Sequence, residues 1–440
     1  MPSRWARLIG SGSRRGAEAG CHMPPACWRH EIGQGRRAFY WGGTQPQEPS
    51  VMRRAFKFRA YPTRPQEGRA ARLLRDHCDL YNAALEERRE AWRRRMVSVG
   101  YGDQSAQLRE IRAADPMGQG RHSFTAQQQT LRRLDATFRA FFRRARAGTC
   151  KVGYPRFKPY QRFDEVLFVA GNGAKWEPAV GSHWARARFQ AVGRLKVNQH
   201  RPVRGRVKTL QLKREYRRWY VIVVTEAEAE PLPPTGRAVG VDVGVARFLT
   251  TSDGVVVANP RFLAAKQERI ARLQRRKERA RLGSGNRKRL RRALAKEWRK
   301  VQNQRRDFHH QTARVLVDTY DAIALEDLSI NNLTASARGT VEEPGRNVRQ
   351  KAGLNRSILD AGWGQFTSIL VAKAESAGRR VVRVDPSYTS LACHTCGSRC
   401  TRPRQDIVVC PNCGVQDADR NGACNIATRA GLGSGQAHVA

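Results

Sequence analysis

Residues 388–426 read YTSLACHTCGSRCTRPRQDIVVCPNCGVQDADRNGACNI, and two CxxC pairs, Cys393/Cys396 and Cys410/Cys413, stand in them thirteen residues apart. A glycine follows each pair, Gly397 and Gly414. This is zinc-ribbon spacing, with a gap slightly below the common range: two tight knuckles whose thiolates complete a tetrahedral S4 site, the glycines letting backbone amides turn toward sulfur. One CxxC alone reads as a redox pair; two with paired glycines read as a zinc ribbon. Four thiolates leave no open coordination position, so the Zn2+ is expected to be structural. Cys400 is a spare thiol between the pairs. Directly after the second pair, DADRNGACNI reads as a helix start carrying Asp417 and Asp419. The remaining cysteines are not spread like a disulfide framework, and Cys21, His22, Cys27 and His30 match no ordinary metal-site spacing.

Around this segment lies a chain of 440 residues with 82 Lys+Arg against 38 Asp+Glu, a formal net charge of +44. With 40% hydrophobic residues there is material for at least two cores, and the periodic apolar segments described below exclude a wholly disordered polycation. No apolar run approaches the ~20 residues that span a bilayer, and the basic N-terminus lacks the apolar region of a secretory signal. The expected setting is a prokaryotic cytoplasm, at the nucleoid. Charge of this size needs a polyanion, and nucleic acid is the default partner.

Residues 1–51 are rich in Gly, Arg, Pro and Ser and read as a poorly ordered extension, with Met52 a candidate initiator. From residue 52, RRAFKFRAYPT alternates like a strand. Pro65 then suits a first helical turn, and Leu73, Leu74, His77, Leu80, Tyr81, Ala84 and Leu85 keep a helical spacing. A second helix is expected over 125–146, with Leu131, Leu134, Phe138, Phe141 and Phe142 on one face and arginines on the other. Short strands run to about residue 230, and PLPPTG (231–236) is a linker. The pattern then turns α/β: AVGVDVG, RFLTTSDGVVV, a long basic helical stretch, YDAIALEDL, another helix and RRVVRVD. The basic stretch, 266–306, holds eighteen Lys or Arg against three Glu and is interrupted by GSGN at 283–286. A hairpin so charged repels itself unless a phosphate backbone runs along it.

Three acids stand at element ends. Asp242 lies near the end of the apolar strand 238–243, Glu326 at the end of another that starts at Ile323 (IALEDL), and Asp419 at what reads as a helix start. Gathered on one sheet edge, they are a set that divalent metal would hold ionised. Two Mg2+ ions about 3.5–4 Å apart would activate a water and stabilise the leaving oxygen in phosphodiester hydrolysis.

The order GVDVGV, ALEDL, YTSLACHTCG…CPNCG, DADRNGACNI resembles the transposon-encoded TnpB nucleases and the compact type V CRISPR effectors. FKFRAYPT, LYNAAL, GYPRFK, HRPVRG, NQRRDFHH and the stretch ILDAGWGQFTSILVAKAESAGRRVVRVDPSYTS add to the likeness, which covers about 52–430. It implies α/β, all-β and helical parts together: an RNase H-like (RuvC) nuclease domain with an inserted zinc ribbon, preceded by a small β-barrel (wedge-like) domain that a helical recognition domain interrupts. In those terms 52–62 and 151–230 are the two parts of the barrel and 63–150 the recognition domain. Residues 237–390 and 417–430 are the nuclease segments, 391–416 the ribbon and 431–440 a tail.

By resemblance Asp242, Glu326 and Asp419 are the catalytic acids, taking Mg2+ or Mn2+, while Cys393, Cys396, Cys410 and Cys413 take Zn2+. Asp417 is a neighbouring alternative, although Asp419 keeps the register with Asn421 and Asn425. Leu391, Arg420 and Gly422 depart from the usual motifs. Asp327 and Asp385 read as capping or orienting groups, and 336–350 as a lid over the cleft. The implied partners are a guide RNA and double-stranded target DNA, cut beside a short motif that protein reads. A catalytically impaired RNA-guided regulator and a DNA strand-transferase are the alternatives, the latter without a clear helix-turn-helix in the sequence.

Overall fold

The computed structural model describes residues 51–148, 152–340, 342–387 and 389–432, and the chain divides into two compact units between Ala227 and Glu228. The expected extension, except Val51, lies outside the described residues, as do the Cys21–His30 cluster and 433–440.

In the first unit, β1 (Val51–Tyr61) turns Phe56, Phe58 and Ala60 inward and Lys57, Arg59 and Tyr61 outward, the two-residue period of a strand. Three helices follow: α1 (Arg64–Arg95), α2 (Tyr101–Ala114) and α3 (Phe124–Arg146). Thr63 and Gln66 form a capping box at the start of α1, with Pro65 in its first turn. Ser123 caps α3, which buries Leu131, Leu134 and Phe138. The strands β2 (Glu165–Val169), β3 (Ala174–Glu177), β4 (Trp184–Phe189), β5 (Gly193–Asn198), β6 (Arg206–Glu215) and β7 (Arg218–Glu228) complete one sheet. Its order is β2-β6-β7-β1-β5-β4-β3. The two edge strands are successive in the chain and are linked by an Ala170–Ala174 bridge, so the sheet nearly closes on itself. The helices are thus an excursion between its first and second strands.

The second unit begins with β8 (Ala238–Val243), β9 (Arg247–Thr251) and β10 (Val256–Ala258). A basic helical hairpin follows, α4 (Gln267–Arg279) and α5 (Gly285–Thr319); the break falls at 280–284, so Gly285 and Asn286 already belong to the second arm. Arg287 donates to the Lys277 and Ala280 carbonyls and caps the first arm with the second. Then come β11 (Ala322–Glu326), α6 (Ile330–Leu333), α7 (Val348–Ala361), α8 (Trp363–Ser376) and β12 (Arg380–Val384). The sheet order is β10-β9-β8-β11-β12; β8, β11 and β12 pair in parallel, and β9 alone runs the other way, antiparallel to both β8 and β10. The segment expected as a lid holds a Gly339–Pro344 bridge, and its last three residues belong to α7.

A separate three-stranded sheet, β13 (Thr401–Arg404), β14 (Ile407–Cys410) and β15 (Gly414–Asp417), leads directly into α9 (Ala418–Arg429). Strand alternation sorts the larger sheet into two faces. Val239, Val241, Ile323 and Leu325 pack with Leu316 and Val317 of α5 and Phe366 and Leu370 of α8. On the other face Ala324 packs with Ile426 and Ala427 of α9. No described helix is long and apolar enough to cross a membrane.

Candidate active site

Residues 240 and 242 share a face of β8, as 324 and 326 share a face of β11. Leu325 pairs with Val241, so one step further Glu326 comes abreast of Asp242 at the carboxyl ends of two adjacent parallel strands. This face is the one α9 covers, and Asp419 lies in the first turn of α9. The period of the strands and the capping of one helix therefore bring the three acids together.

Their electrostatics register the convergence. Burial pushes the Asp242 carboxyl up to about 7, and the charges of Glu326 and Asp419 add to the push. Burial also raises Glu326, against a hydrogen bond donated by the Thr389 hydroxyl. Burial raises Asp419, with Arg247 opposing and Asp417 reinforcing the shift. The charges of Glu326 and Asp419 thus both disfavour ionisation of Asp242, a repulsion that a divalent cation would offset, and hard oxygen donors at strand ends suit such an ion. They remain more open than the thiols: the only set of metal-ligating side chains drawn to close spacing among the described residues is the four cysteines.

Side chains outside the three acids hold the arrangement. Asn421 accepts from the His394 amide at 2.8 Å and donates to the Ala392 carbonyl at 2.8 Å. Asn425 donates to the carbonyls of Thr389 and Ala392. The two asparagines thus stitch α9 to the segment that enters the cysteine sheet. Asp417 caps α9 by accepting from the Arg420 amide, and pairs with Arg247 at 2.7 Å. Asp385 accepts from the Ser387 amide, and Asp327 pairs with Arg383. The roles of Thr389 and Arg247 carry no signal in the sequence, because each acts across more than sixty positions of chain.

The four cysteine ligand atoms lie within 4.8 Å of one another, and Cys396 Sγ and Cys410 Sγ are 3.4 Å apart. Zn–S bonds of ~2.3 Å give tetrahedral S···S edges of about 3.8 Å, so the set fits zinc. Burial opposes ionisation of Cys393, but the Cys396 and Thr395 amides and the Gln416 side chain bring its thiol down to about 5. Cys413 is pushed up to about 12, first by its hydrogen bond with Cys396 and then by burial. Cys400 is buried against Cys393 and Cys410, and burial raises its thiol to about 11.

Three family models match the chain. One described as "Probable transposase" covers residues 221–337, one described as "Cas12f1-like, TNB domain" covers 363–426, and a helix-turn-helix model covers 52–96. Residues 52–96 fold as β1 and the single long helix α1, without a second helix. InsQ of Escherichia coli K12, named as a candidate RNA-guided DNA endonuclease, is 33% identical over 84% of this chain and 91% of its own. A Streptomyces pristinaespiralis protein of the same designation is 30% identical over 85% of this chain and 89% of its own. A Cas12f1 chain, solved by cryo-EM in complex with sgRNA and target DNA, shares the fold at a TM-score of 0.55. The match has 12% identity and covers 86% of this chain and 99% of that one.

Proposed function

Because the chain belongs to the TnpB-like family of RNA-guided nucleases, we propose that it hydrolyses phosphodiester bonds of double-stranded DNA selected by pairing with a guide RNA. The second unit is read as the RuvC-like, RNase H-type nuclease domain, with residues 391–416 as its zinc ribbon. The first unit is read as a barrel (52–62 and 151–230) interrupted by a recognition domain (63–150). The observation that carries the proposal is the meeting of Asp242, Glu326 and Asp419 on the α9 face of the parallel strands, with each carboxyl held above its ordinary range.

Asp242, Glu326 and Asp419 would hold Mg2+ or Mn2+, which when bound activates water and stabilises the departing oxygen. Thr389 fixes the rotamer of Glu326 through its hydroxyl. Asn421 and Asn425 keep Asp419 over the ends of β8 and β11 by tying α9 to 389–394. Zinc on Cys393, Cys396, Cys410 and Cys413 would fix the strand that feeds α9. The hairpin α4–α5 offers a cationic surface for a phosphate backbone, with Glu297 buried against Arg269 as the tie between its arms. A strand-transfer role finds less support, since the segment matched by the helix-turn-helix model holds one helix.

Asp242→Ala tests the assignment. Losing a Lewis-acid contribution of several kcal/mol should cost on the order of a thousandfold in cleavage. Guide RNA and target binding, followed by gel shift, should be unchanged. Equal loss of binding and cleavage would remove Asp242 from the metal site.

A further inference from the structure

Arg247, the first residue of β9, donates from Nη1 to Asp417 Oδ2 at 2.7 Å and stands 3.6 Å from Asp419 Oδ2. Asp417 has a second task, since its Oδ1 accepts from the Arg420 amide at 3.0 Å and caps α9. Each oxygen of Asp417 therefore has a fixed partner. Arg247 is held within ion-pair reach of the third acid while bonded to another. A second guanidinium, that of Arg402, acts on Asp419 and Asp242 from further away and is engaged with the Gln405 carbonyl.

A guanidinium without Asp417 would close on Asp419, because a charge-assisted pair with a carboxylate is the strongest contact open to it. It would then occupy the lone pairs a divalent cation needs. We propose that Asp417 is a positioning residue that parks Arg247 beside Asp419, keeping the third carboxylate open for metal. The same pair ties β9, the antiparallel neighbour of β8, to the start of α9, so the hairpin carrying Asp242 and the helix carrying Asp419 share one bolt. The proposal rests on the reading of Asp419 as a metal ligand.

Asp417→Asn is the informative variant. Asn caps a helix about as well as Asp, so α9 keeps its start while Arg247 loses its charged partner. The Mg2+ concentration for half-maximal target cleavage should rise about tenfold, the worth of one hydrogen bond to a charged group. Adding Arg247→Gln should bring it back toward the wild-type value, because the released guanidinium is then gone. A readout independent of DNA cleavage is backbone scission of the ribonucleoprotein by Fe2+ in place of Mg2+, with ascorbate and peroxide. Scission near residue 419 should fall in Asp417→Asn and recover in the double variant.

An Asp417→Asn protein that matches wild type in both readouts would overturn the proposal. So would a double variant no better than the single, which would leave Asp417 with a capping role alone. Wild-type protein giving no Fe2+-dependent scission near 242, 326 or 419 would overturn the metal reading itself, and the parking role with it.

Discussion

Gly240 is the residue on which the α9 packing turns. A Cβ there would lie 2.0 Å from the Ala423 carbonyl oxygen and 2.6 Å from the Ala427 amide, both backbone atoms that cannot rotate away. Gly240→Ala should therefore lift α9 and destabilise the second unit by about 1–3 kcal/mol or more. A shift in the thermal unfolding midpoint checks this, with a loss of cleavage to match; an unshifted midpoint would mean that α9 is not seated on β8. Gly422 is a milder case, since a Cβ would come 3.3 Å from Asp242 Oδ2, so the glycine leaves that carboxylate room. The acids themselves were legible as candidates only through the motifs around them, because acids near strand ends are common and it is the order GVDVGV, ALEDL, DADRNGACNI that singles out Asp242, Glu326 and Asp419. Thr389, Arg247 and the packing of Cys400 were not. Each matters through a partner that only the folded chain supplies, and no local periodicity announces it.

Helix α9 inherits its position from the cysteine sheet, because β15 runs into it without a spacer. A structural zinc would then set the third acid at a distance. One zinc per chain by elemental analysis is expected for the wild type, with zinc and cleavage both lost in Cys410→Ser. A zinc-free Cys410→Ser protein cutting at the wild-type rate would uncouple the two. In the helical excursion of the first unit, His77 is fully buried, its Nδ1 2.8 Å from the Thr130 hydroxyl and its ring 5.4 Å from that of His122. Burial, and then the charge on His122, pulls His77 down to about 3 from an ordinary 6.5. A depressed folded-state value stabilises above pH 6.5 and loses that stability as pH falls toward 3. The unfolding midpoint should drop as pH is lowered from about 6.5 to 4, and drop less in His77→Gln. Equal slopes in the two proteins would refute the assignment. Of the helices here, α1 and α3 could be read from spacing and from Pro65 in a first turn, whereas α2 was not expected and the near-closure of the sheet could not be read. It depends on β1 inserting between β5 and β7, a pairing across more than a hundred residues.

At the scale of the whole molecule, the net charge of +44 and the arms of α4 and α5 call for a polyanion, and the family supplies the form it takes. Composition alone could not distinguish a guide from any other nucleic acid, since phosphate contacts carry no sequence information. The measurement that addresses this most directly is to purify the protein with the RNA it carries, identify the guide segment by sequencing, and replace that segment with one matching an unrelated plasmid. The account predicts one discrete RNA species, and Mg2+-dependent cleavage that moves to the new plasmid and disappears in Asp242→Ala. A heterogeneous set of cellular RNAs, or cutting that ignores the exchanged segment, would contradict it and leave an unguided metal-dependent nuclease.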